Sequence, residues 1–134
     1  LYRVFMSNVG QSPIDYLTSY RISEACSLLK NSSLSIAEIA VSVGFFDQFY
    51  FSRVFKKATG ETLINYIQNE KIKTAIYLFK ETNLSVSQVA DRLGYTNFSY
   101  FSQLFKQKTG YTVREYKRKY LNKTDGDNAA DLLR

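Results

Sequence analysis

The side chains best suited to chemistry in this sequence are hydrogen-bonding groups and cations that recur at helical spacing in two stretches. Those suited to contacting base edges are Gln48, Phe49, Ser52 and Arg53 in the first stretch, and Asn97, Ser99, Ser102 and Gln103 in the second. Those suited to binding phosphate groups are Lys56, Lys57, Lys106, Lys108, Arg114 and Lys117. Amide and guanidinium groups pair with base edges in the major groove of DNA, whereas cations bind phosphates without regard to sequence. The pattern therefore predicts a surface that binds double-stranded DNA.

The two stretches differ at a position that matters for base recognition. Arg53 can form two hydrogen bonds with a guanine, although a phosphate contact or a surface ion pair would also explain it. Gln103 takes its place fifty residues later, and glutamine favours adenine. Phe49 has two interpretations, contact with a thymine methyl group or packing against a neighbouring unit, and the lysines could instead form a solvated charged face. Two unlike reading helices favour an asymmetric, non-palindromic DNA site.

The residues needed for most catalytic and metal sites are missing. The sequence contains no histidine and a single cysteine, Cys26. A cysteine without a histidine is a poor nucleophile, and metal ligands of the histidine and cysteine type are too few. We therefore expect no enzymatic activity, no cofactor and no metal. A lone cysteine also excludes an intrachain disulfide, which favours a reducing cytoplasm.

The composition favours a folded, basic protein. Hydrophobic residues make up 45% of the chain, and Lys and Arg outnumber Asp and Glu by 18 to 12. A net charge of +6 suits a polyanionic partner, although many solvated proteins carry as much. No apolar run approaches the roughly 18 residues of a membrane span, so we expect no membrane association.

An internal repeat with an offset of fifty residues organises the chain. Residues 34–60 align without gaps on residues 84–110, with 11 of 27 positions identical. A truncated third copy opens the sequence, because Arg3, Phe5 and Gly10 stand fifty residues before Arg53, Phe55 and Gly60. Such a period is typical of tandem supersecondary units. We interpret the chain as the end of one unit followed by two complete ones.

The sequence of each complete unit predicts two short helices joined by a tight turn. Ser35 with Glu38 and Ser85 with Gln88 match the capping box that begins a helix. Glycines at positions 44 and 94 end that helix, and a second helix is predicted over about residues 48–57 and 98–108. Any pair of antiparallel helices would fit this pattern, but the short first helix and the basic second helix favour a helix-turn-helix.

Longer helices connect the units. Thr62 is predicted to cap a helix that ends near Lys80, Ser12 and Pro13 to begin an equivalent earlier helix, and Thr112 to cap a last helix that ends near Tyr120. The predicted buried stripe of the linker is Ile64, Ile67, Ile72, Ala75, Ile76 and Phe79. The Tyr-Phe pairs at 50–51 and 100–101 are predicted to be core.

The predicted fold class is all-α, with tandem helix-turn-helix units of the homeodomain-like three-helix kind joined by long linker helices. The expected organisation is a truncated unit with a linker helix (1–33), a helix-turn-helix unit (34–60), a linker helix (61–83), a helix-turn-helix unit with a final helix (84–120), and a polar tail (121–134). If the two second helices enter successive major grooves, their centres lie roughly 34 Å apart.

These motifs resemble the AraC/XylS family of bacterial transcription regulators. The resemblance rests on Ala40, Gly44-Phe45, Tyr50-Phe51, Phe55-Lys56-Lys57 and Gly60, and on the linker residues Gly10, Ser12-Pro13, Tyr16-Leu17, Arg21-Ile22, Ala25 and Leu28-Leu29. It covers about residues 1–118. It implies two helix-turn-helix units with each second helix in the major groove, and a companion domain for ligand sensing or dimerisation.

The resemblance implies a sequence-specific DNA-binding function, with RNA polymerase as a further partner of the full-length regulator. The third, truncated unit departs from the two units of the family. The alternative function is a helical-repeat module that binds other proteins and whose basic face is incidental. Binding that weakens steeply with salt separates the two functions.

Overall fold

The computed structural model describes residue 10 and residues 12–123, and this part of the chain is helical without strands. The helices are α1 (Pro13–Asn31), α2 (Ile36–Ser42), α3 (Gln48–Thr59), α4 (Leu63–Glu81), α5 (Val86–Arg92), α6 (Phe98–Thr109) and α7 (Val113–Tyr120). The chain divides into two compact units, and the division falls between Ile67 and Gln68, within α4. The all-α prediction is confirmed. The partial repeat at residues 1–9 and the tail beyond residue 123 lie outside the described residues.

Local capping sets where the helices begin, as the sequence predicts. In both units the capping box is complete: the serine side chain accepts from the backbone amide three residues on, and the Glu38 or Gln88 side chain accepts from the serine amide. Thr112 and Glu115 form a third box at the start of α7. Each box satisfies amide groups that the first helical turn leaves without a partner.

The same repeat positions form the core of each unit. The core of the first unit consists of Ile22, Ala25, Ile39, Ala40, Phe45, Phe51, Phe55 and Leu63. That of the second consists of Ile72, Ala75, Phe79, Val89, Ala90, Phe101, Leu104, Phe105 and Val113. Most of these residues are related by the offset of fifty. Burial of this apolar surface holds each short helix pair against a long helix.

Two predictions about the core are wrong. Tyr50 and Tyr100 are about half exposed, because each ring only borders the core, 6.0 Å from the Phe45 ring and 5.9 Å from the Tyr95 ring respectively. Their Phe neighbours at 51 and 101 are fully buried, as predicted. Ile64 is exposed rather than part of the buried stripe, because its neighbour Leu63 takes the place in the core of the first unit.

The segment after α7 is anchored where the structure describes it. The Lys123 ammonium donates to the backbone carbonyls of Phe79 and Thr82, the latter at 2.9 Å. These carbonyls belong to the end of α4 and the residue that follows it, where a cation offsets the partial negative charge of the helix terminus.

No helix in the described part of the chain is long and apolar enough to cross a membrane.

Candidate nucleic-acid interface

The turn between the two short helices has the same backbone geometry in both units. Gly44 and Gly94 adopt φ values of 97° and 87°, in the left-handed region that favours glycine. The residue after each glycine donates its amide hydrogen to the carbonyl of Ala40 or Ala90, at 2.8 and 2.9 Å. These alanines are buried, which allows the short helices to approach closely. The turn therefore fixes the direction of α3 and α6.

A cation from the long helix packs beside each turn. The Arg21 guanidinium lies 6.0 Å from the Phe45 ring centroid, and the Lys71 ammonium lies 4.9 Å from the Tyr95 ring centroid. A Cβ atom on Gly44 would come within 3.0 Å of the Arg21 side chain. Sequence reasoning missed these contacts, although Arg21 and Lys71 are also related by the offset of fifty.

The outer face of α3 carries the base-reading candidates of the first unit. Asp47 begins the helix by accepting from the Tyr50 amide at 2.8 Å. Phe49 is 70% exposed and Arg53 is exposed, whereas Gln48 and Ser52 are half-buried. The Ser52 hydroxyl donates to the carbonyl of Gln48 at 2.8 Å, so its oxygen is left to accept from a ligand.

These candidates line one open groove with a volume of about 780 Å³. Its lining residues are Ile36, Gln48, Phe49, Ser52, Arg53, Lys56, Lys57, Thr62, Leu63 and Ile64. The structure thus brings together all four predicted reading residues of α3 and its two predicted phosphate contacts. The apolar members of the lining from α2 and α4 were not predicted as part of the site.

The Arg53 side chain packs against the aromatic ring of Tyr50. Its guanidinium carbon lies 5.7 Å from the centroid of the Tyr50 ring. Stacking of this kind restricts the side chain while its donor groups remain exposed. The half-exposed position of Tyr50 therefore places the ring beside Arg53 rather than inside the core.

The equivalent face of α6 brings together some of the candidates of the second unit. Ser102, Gln103 and Lys106 line a groove of about 460 Å³, together with Gln107 and Thr112. The grooves of the two units share repeat positions, namely 52/102, 53/103, 56/106, 57/107 and 62/112.

Two other candidates of the second unit lie outside that lining. The Asn97 side chain accepts from the Tyr100 amide at 3.0 Å, so Asn97 caps α6. Ser99 is exposed near the start of the same helix.

The residues predicted to bind phosphate differ in how exposed their side chains are. Lys56, Lys57, Lys106 and Arg114 are exposed, and Lys108 is half-buried. The prediction for Lys117 is wrong, because this residue is only 6% exposed and its ammonium lies 4.8 Å from the centroid of the Phe79 ring. Its side chain covers the core of the second unit instead of facing a ligand.

A cationic and aromatic cluster that joins the last turn of α7 to Tyr111, which precedes this helix, was not predicted. The Lys119 ammonium donates to the Tyr111 hydroxyl at 2.9 Å, and the Tyr120 hydroxyl donates to the same oxygen at 3.3 Å. The hydrogen bond from Lys119 lowers the pKa of Tyr111 and raises the pKa of Lys119. Lys119 therefore remains a cation over the physiological pH range.

Among the described residues, no cluster of His, Cys, Asp and Glu could hold a metal ion.

Comparison with known families agrees with this geometry. A family model described as a helix-turn-helix domain matches residues 1–69 and again residues 49–119. The chain belongs to the AraC-type helix-turn-helix family. The family and its fold are those of DNA-binding transcription regulators, and the resemblance drawn from the sequence is confirmed.

Solved AraC-type structures share the fold. An AraC-type transcriptional regulator from Chromobacterium violaceum is 25% identical, with a TM-score of 0.69 over 77% of this chain and 96% of that chain. The DNA-binding domain of AdpA, solved in complex with a target DNA, is 18% identical, with a TM-score of 0.59 over 82% of this chain and 94% of that chain.

Relatives of similar sequence are much longer than the matched region. The lactose operon transcription activator of Staphylococcus xylosus is 42% identical over 53 residues, which is 40% of this chain and 19% of the activator. The helix-turn-helix transcriptional regulator YidL of Escherichia coli strain K12 is 40% identical over 53 residues, 40% of this chain and 18% of that regulator. The match thus spans less than a fifth of the length of these relatives.

Proposed function

We propose that this chain binds double-stranded DNA in a sequence-specific manner as part of a bacterial transcription regulator, with α3 and α6 inserted in successive major grooves. One observation carries the proposal. Gln48, Phe49, Ser52 and Arg53 lie together on the outer face of α3, beside Lys56 and Lys57. A major groove about 12 Å wide admits one helix, so a helix face of this composition meets base edges and phosphates together.

Arg53 is the principal reading residue of the first unit. Its guanidinium is exposed and rests on the Tyr50 ring, which limits the conformational freedom lost on binding. A guanidinium presents two parallel donors that match O6 and N7 of guanine. The first unit therefore prefers guanine at the position that Arg53 contacts.

Phe49 contributes an apolar contact in the same groove. Its ring is exposed on the first unit and lines the groove with Ile36 and Ile64. An aromatic ring at this place suits the methyl group of thymine, which is the apolar feature of the major groove. Of the two interpretations of Phe49, this surface position favours the thymine contact.

The second unit reads a different base. Gln103 is exposed at the position that corresponds to Arg53, and an amide pairs with N6 and N7 of adenine. Asn97 is a weaker candidate, because its side-chain oxygen is engaged in capping α6. The two units together favour an asymmetric site.

The affinity comes from exposed cations. Lys56 and Lys57 are the phosphate contacts of the first unit, and Lys106, Arg114 and the half-buried Lys108 are those of the second. Arg118 and Lys119 extend the positive charge along α7. Lys117 is not one of these contacts, because it is buried.

The full-length regulator acts in the bacterial cytoplasm with RNA polymerase as a partner. Support comes from the Staphylococcus xylosus relative, whose name describes a transcription activator.

Salt-dependent binding with competitor DNA tests the proposal. Sequence-specific binding predicts that affinity falls steeply as salt rises, and that a preferred sequence stays bound when non-specific DNA is added in excess. Arg53→Lys is the matched variant, because it keeps the charge and removes the paired donors. We expect Arg53→Lys to reduce the preference for one DNA sequence over another more than it reduces the overall affinity for DNA. Binding that is insensitive to salt, or equal for all sequences, would contradict the proposal.

A further inference from the structure

Two tyrosines at the same repeat position, one in α3 and one in α6, have different partners. The Tyr50 ring lies beneath the Arg53 guanidinium, with 5.7 Å between the guanidinium carbon and the ring centroid. Fifty residues later Gln103 replaces Arg53, and its amide carries no charge to place over the Tyr100 ring. The Tyr100 hydroxyl instead accepts a hydrogen bond from the side-chain amide of Gln68 in α4, at 3.0 Å.

Two neighbours hold the Tyr100 ring in place. Its centroid lies 5.9 Å from that of Tyr95, which itself packs beneath the Lys71 ammonium. Gln68 and Lys71 stand three residues apart on α4, so one face of this helix supports both tyrosines. The first unit has Thr18 at the position of Gln68, and threonine has no amide group to donate. Support of the tyrosine hydroxyl by an amide of the long helix is therefore a feature of the second unit.

The hydrogen bond from Gln68 leaves the Tyr100 hydroxyl able to act as a donor. The amide nitrogen supplies the hydrogen in this bond, so the tyrosine oxygen is the acceptor and its own hydrogen can be donated to another group. Tyr100 is 46% exposed, which makes the hydroxyl accessible to a ligand. Hydrogen bonds in a chain polarise one another, so a hydroxyl that accepts in this way becomes a stronger donor.

Tyr100 lies on the flank of α6, between the predicted reading face and the core. At roughly 100° per residue, it is about 60° from Gln103 in one direction around the helix axis and about 40° from the buried Leu104 in the other. A helix with its side chains is about 10–12 Å across and fills a major groove of about 12 Å, so the flanks of an inserted helix face the sugar-phosphate backbones. Tyrosine hydroxyls are among the groups that contact DNA phosphates.

We propose that the Tyr100 hydroxyl donates a hydrogen bond to a backbone phosphate of the DNA, and that Gln68 is the positioning residue for this contact. The inference rests on the proposed insertion of α6 in a major groove. It adds a neutral phosphate contact to those made by lysine and arginine side chains. Tyr50 has a different role in the first unit, because its ring supports Arg53.

Phosphate ethylation interference on the preferred DNA sequence locates this contact. Ethylation removes the charge of one phosphate and blocks its oxygen, and the positions at which it prevents binding are compared between the wild type and Tyr100→Phe. We expect one interfering phosphate, beside the bases read by α6, to lose its effect in Tyr100→Phe, and the overall affinity to fall roughly tenfold. Because a neutral side chain releases no counterion, the slope of log affinity against log salt should not change.

Tyr50→Phe is the matched control for this comparison. It removes the equivalent hydroxyl but keeps the ring beneath Arg53, so it should leave every interfering phosphate as it is in the wild type. The pattern of interfering phosphates does not depend on the fraction of folded protein, so a small loss of stability in either variant does not alter the result.

Combined variants test the part played by Gln68. Gln68→Met keeps a side chain of similar length and removes the amide donor. We expect it to weaken binding when Tyr100 is present, and to have no further effect when it is combined with Tyr100→Phe. Equal weakening in both backgrounds would mean that Gln68 acts by itself, on the DNA or on the fold, and its positioning role would be wrong.

The results that would overturn the inference differ from those that would overturn the proposed function. If the wild type and Tyr100→Phe show the same interfering phosphates, Tyr100 does not contact the backbone, while the proposed DNA binding stands. If Tyr100→Phe instead changes the preferred bases, the hydroxyl contacts a base edge and the inference is again wrong. A wild type that shows neither a preferred sequence nor an interfering phosphate would contradict the proposed function as well.

Discussion

The ammonium group of Lys71 lies 4.9 Å from the centre of the Tyr95 ring, beside the glycine turn of the second unit. Arg21 takes the same place beside Phe45 in the first unit. Both cations belong to long helices and both rings to the turn between two short helices. The direction of α3 and of α6 thus depends on a contact made by the long helix that precedes each of them.

Replacement of Gly44 by alanine tests the geometry of this turn. The residue has φ of 97°, and an added Cβ would lie 3.0 Å from the Arg21 side chain. We expect the free energy of unfolding to fall by more than the roughly 1–2 kcal/mol of left-handed strain alone. Gly60→Ala is the matched control, because its φ is +84° and nothing lies within 4 Å of the added atom. Equal losses for both variants, measured by denaturant unfolding, would contradict a role for Arg21.

A charge at Ala40 should unfold the first unit. Ala40 is fully buried between the short helix and its core, so Ala40→Asp places a carboxylate where nothing can pair with it. We expect a loss of more than about 3 kcal/mol in the free energy of unfolding. Val41→Asp changes the next residue, which is exposed, and should have little effect. Circular dichroism during thermal unfolding compares the two, and a stable Ala40→Asp variant would refute the buried position.

The capping box of α2 should make the first unit sensitive to acid. Hydrogen bonds with Ser35, above all from its backbone amide, lower the pKa of Glu38 below its ordinary value of 4.5. Because the pKa is lowered in the folded state, Glu38 makes its full contribution to the free energy of unfolding above pH 4.5. This contribution is lost as the pH falls through the pKa of the folded state.

The matched variant for this prediction is Glu38→Gln, because the second unit already carries Gln88 in the same box. We expect the thermal midpoint of the wild type to exceed that of Glu38→Gln at neutral pH, and the difference to shrink below pH 4.5. Other carboxylates affect both proteins equally. A difference that does not change with pH would show that the charge of Glu38 does not contribute.

Two lysines of the second unit should differ in their effect on DNA binding. Lys106 is exposed in the α6 groove, so Lys106→Ala should reduce the slope of log affinity against log salt by about 1. Lys117 covers Phe79, so Lys117→Met should leave the slope unchanged. The comparison uses DNA titrations at several salt concentrations. An equal reduction by Lys117→Met would mean that this side chain reaches phosphate in the complex.

Local signals were enough to predict most of the fold. Capping boxes need only residues three apart, as with Ser35 and Glu38, and a glycine after a short helix predicts a left-handed turn. The offset of fifty then transferred each assignment from one unit to the other. For these reasons the helices and the buried alanines agree with the prediction.

The errors concern residues whose place depends on a distant partner. Tyr50 and Lys117 have both apolar and polar parts, so helical spacing could not show which part is buried. Lys117 is buried because Phe79, 38 residues earlier, offers a ring for its ammonium. The assignment of individual base-reading residues is still a prediction, since it depends on DNA.

Selection of bound sequences from random DNA tests the central claim most directly, because it reads the preference of α3 and α6 separately. The selection is run with the wild type, Arg53→Ala and Gln103→Ala. We predict that Arg53→Ala loses a preference for guanine at one position, while Gln103→Ala loses a preference at a different position about one helical turn away. Wild-type selection without any preferred sequence, or identical preferences in all three proteins, would contradict the account.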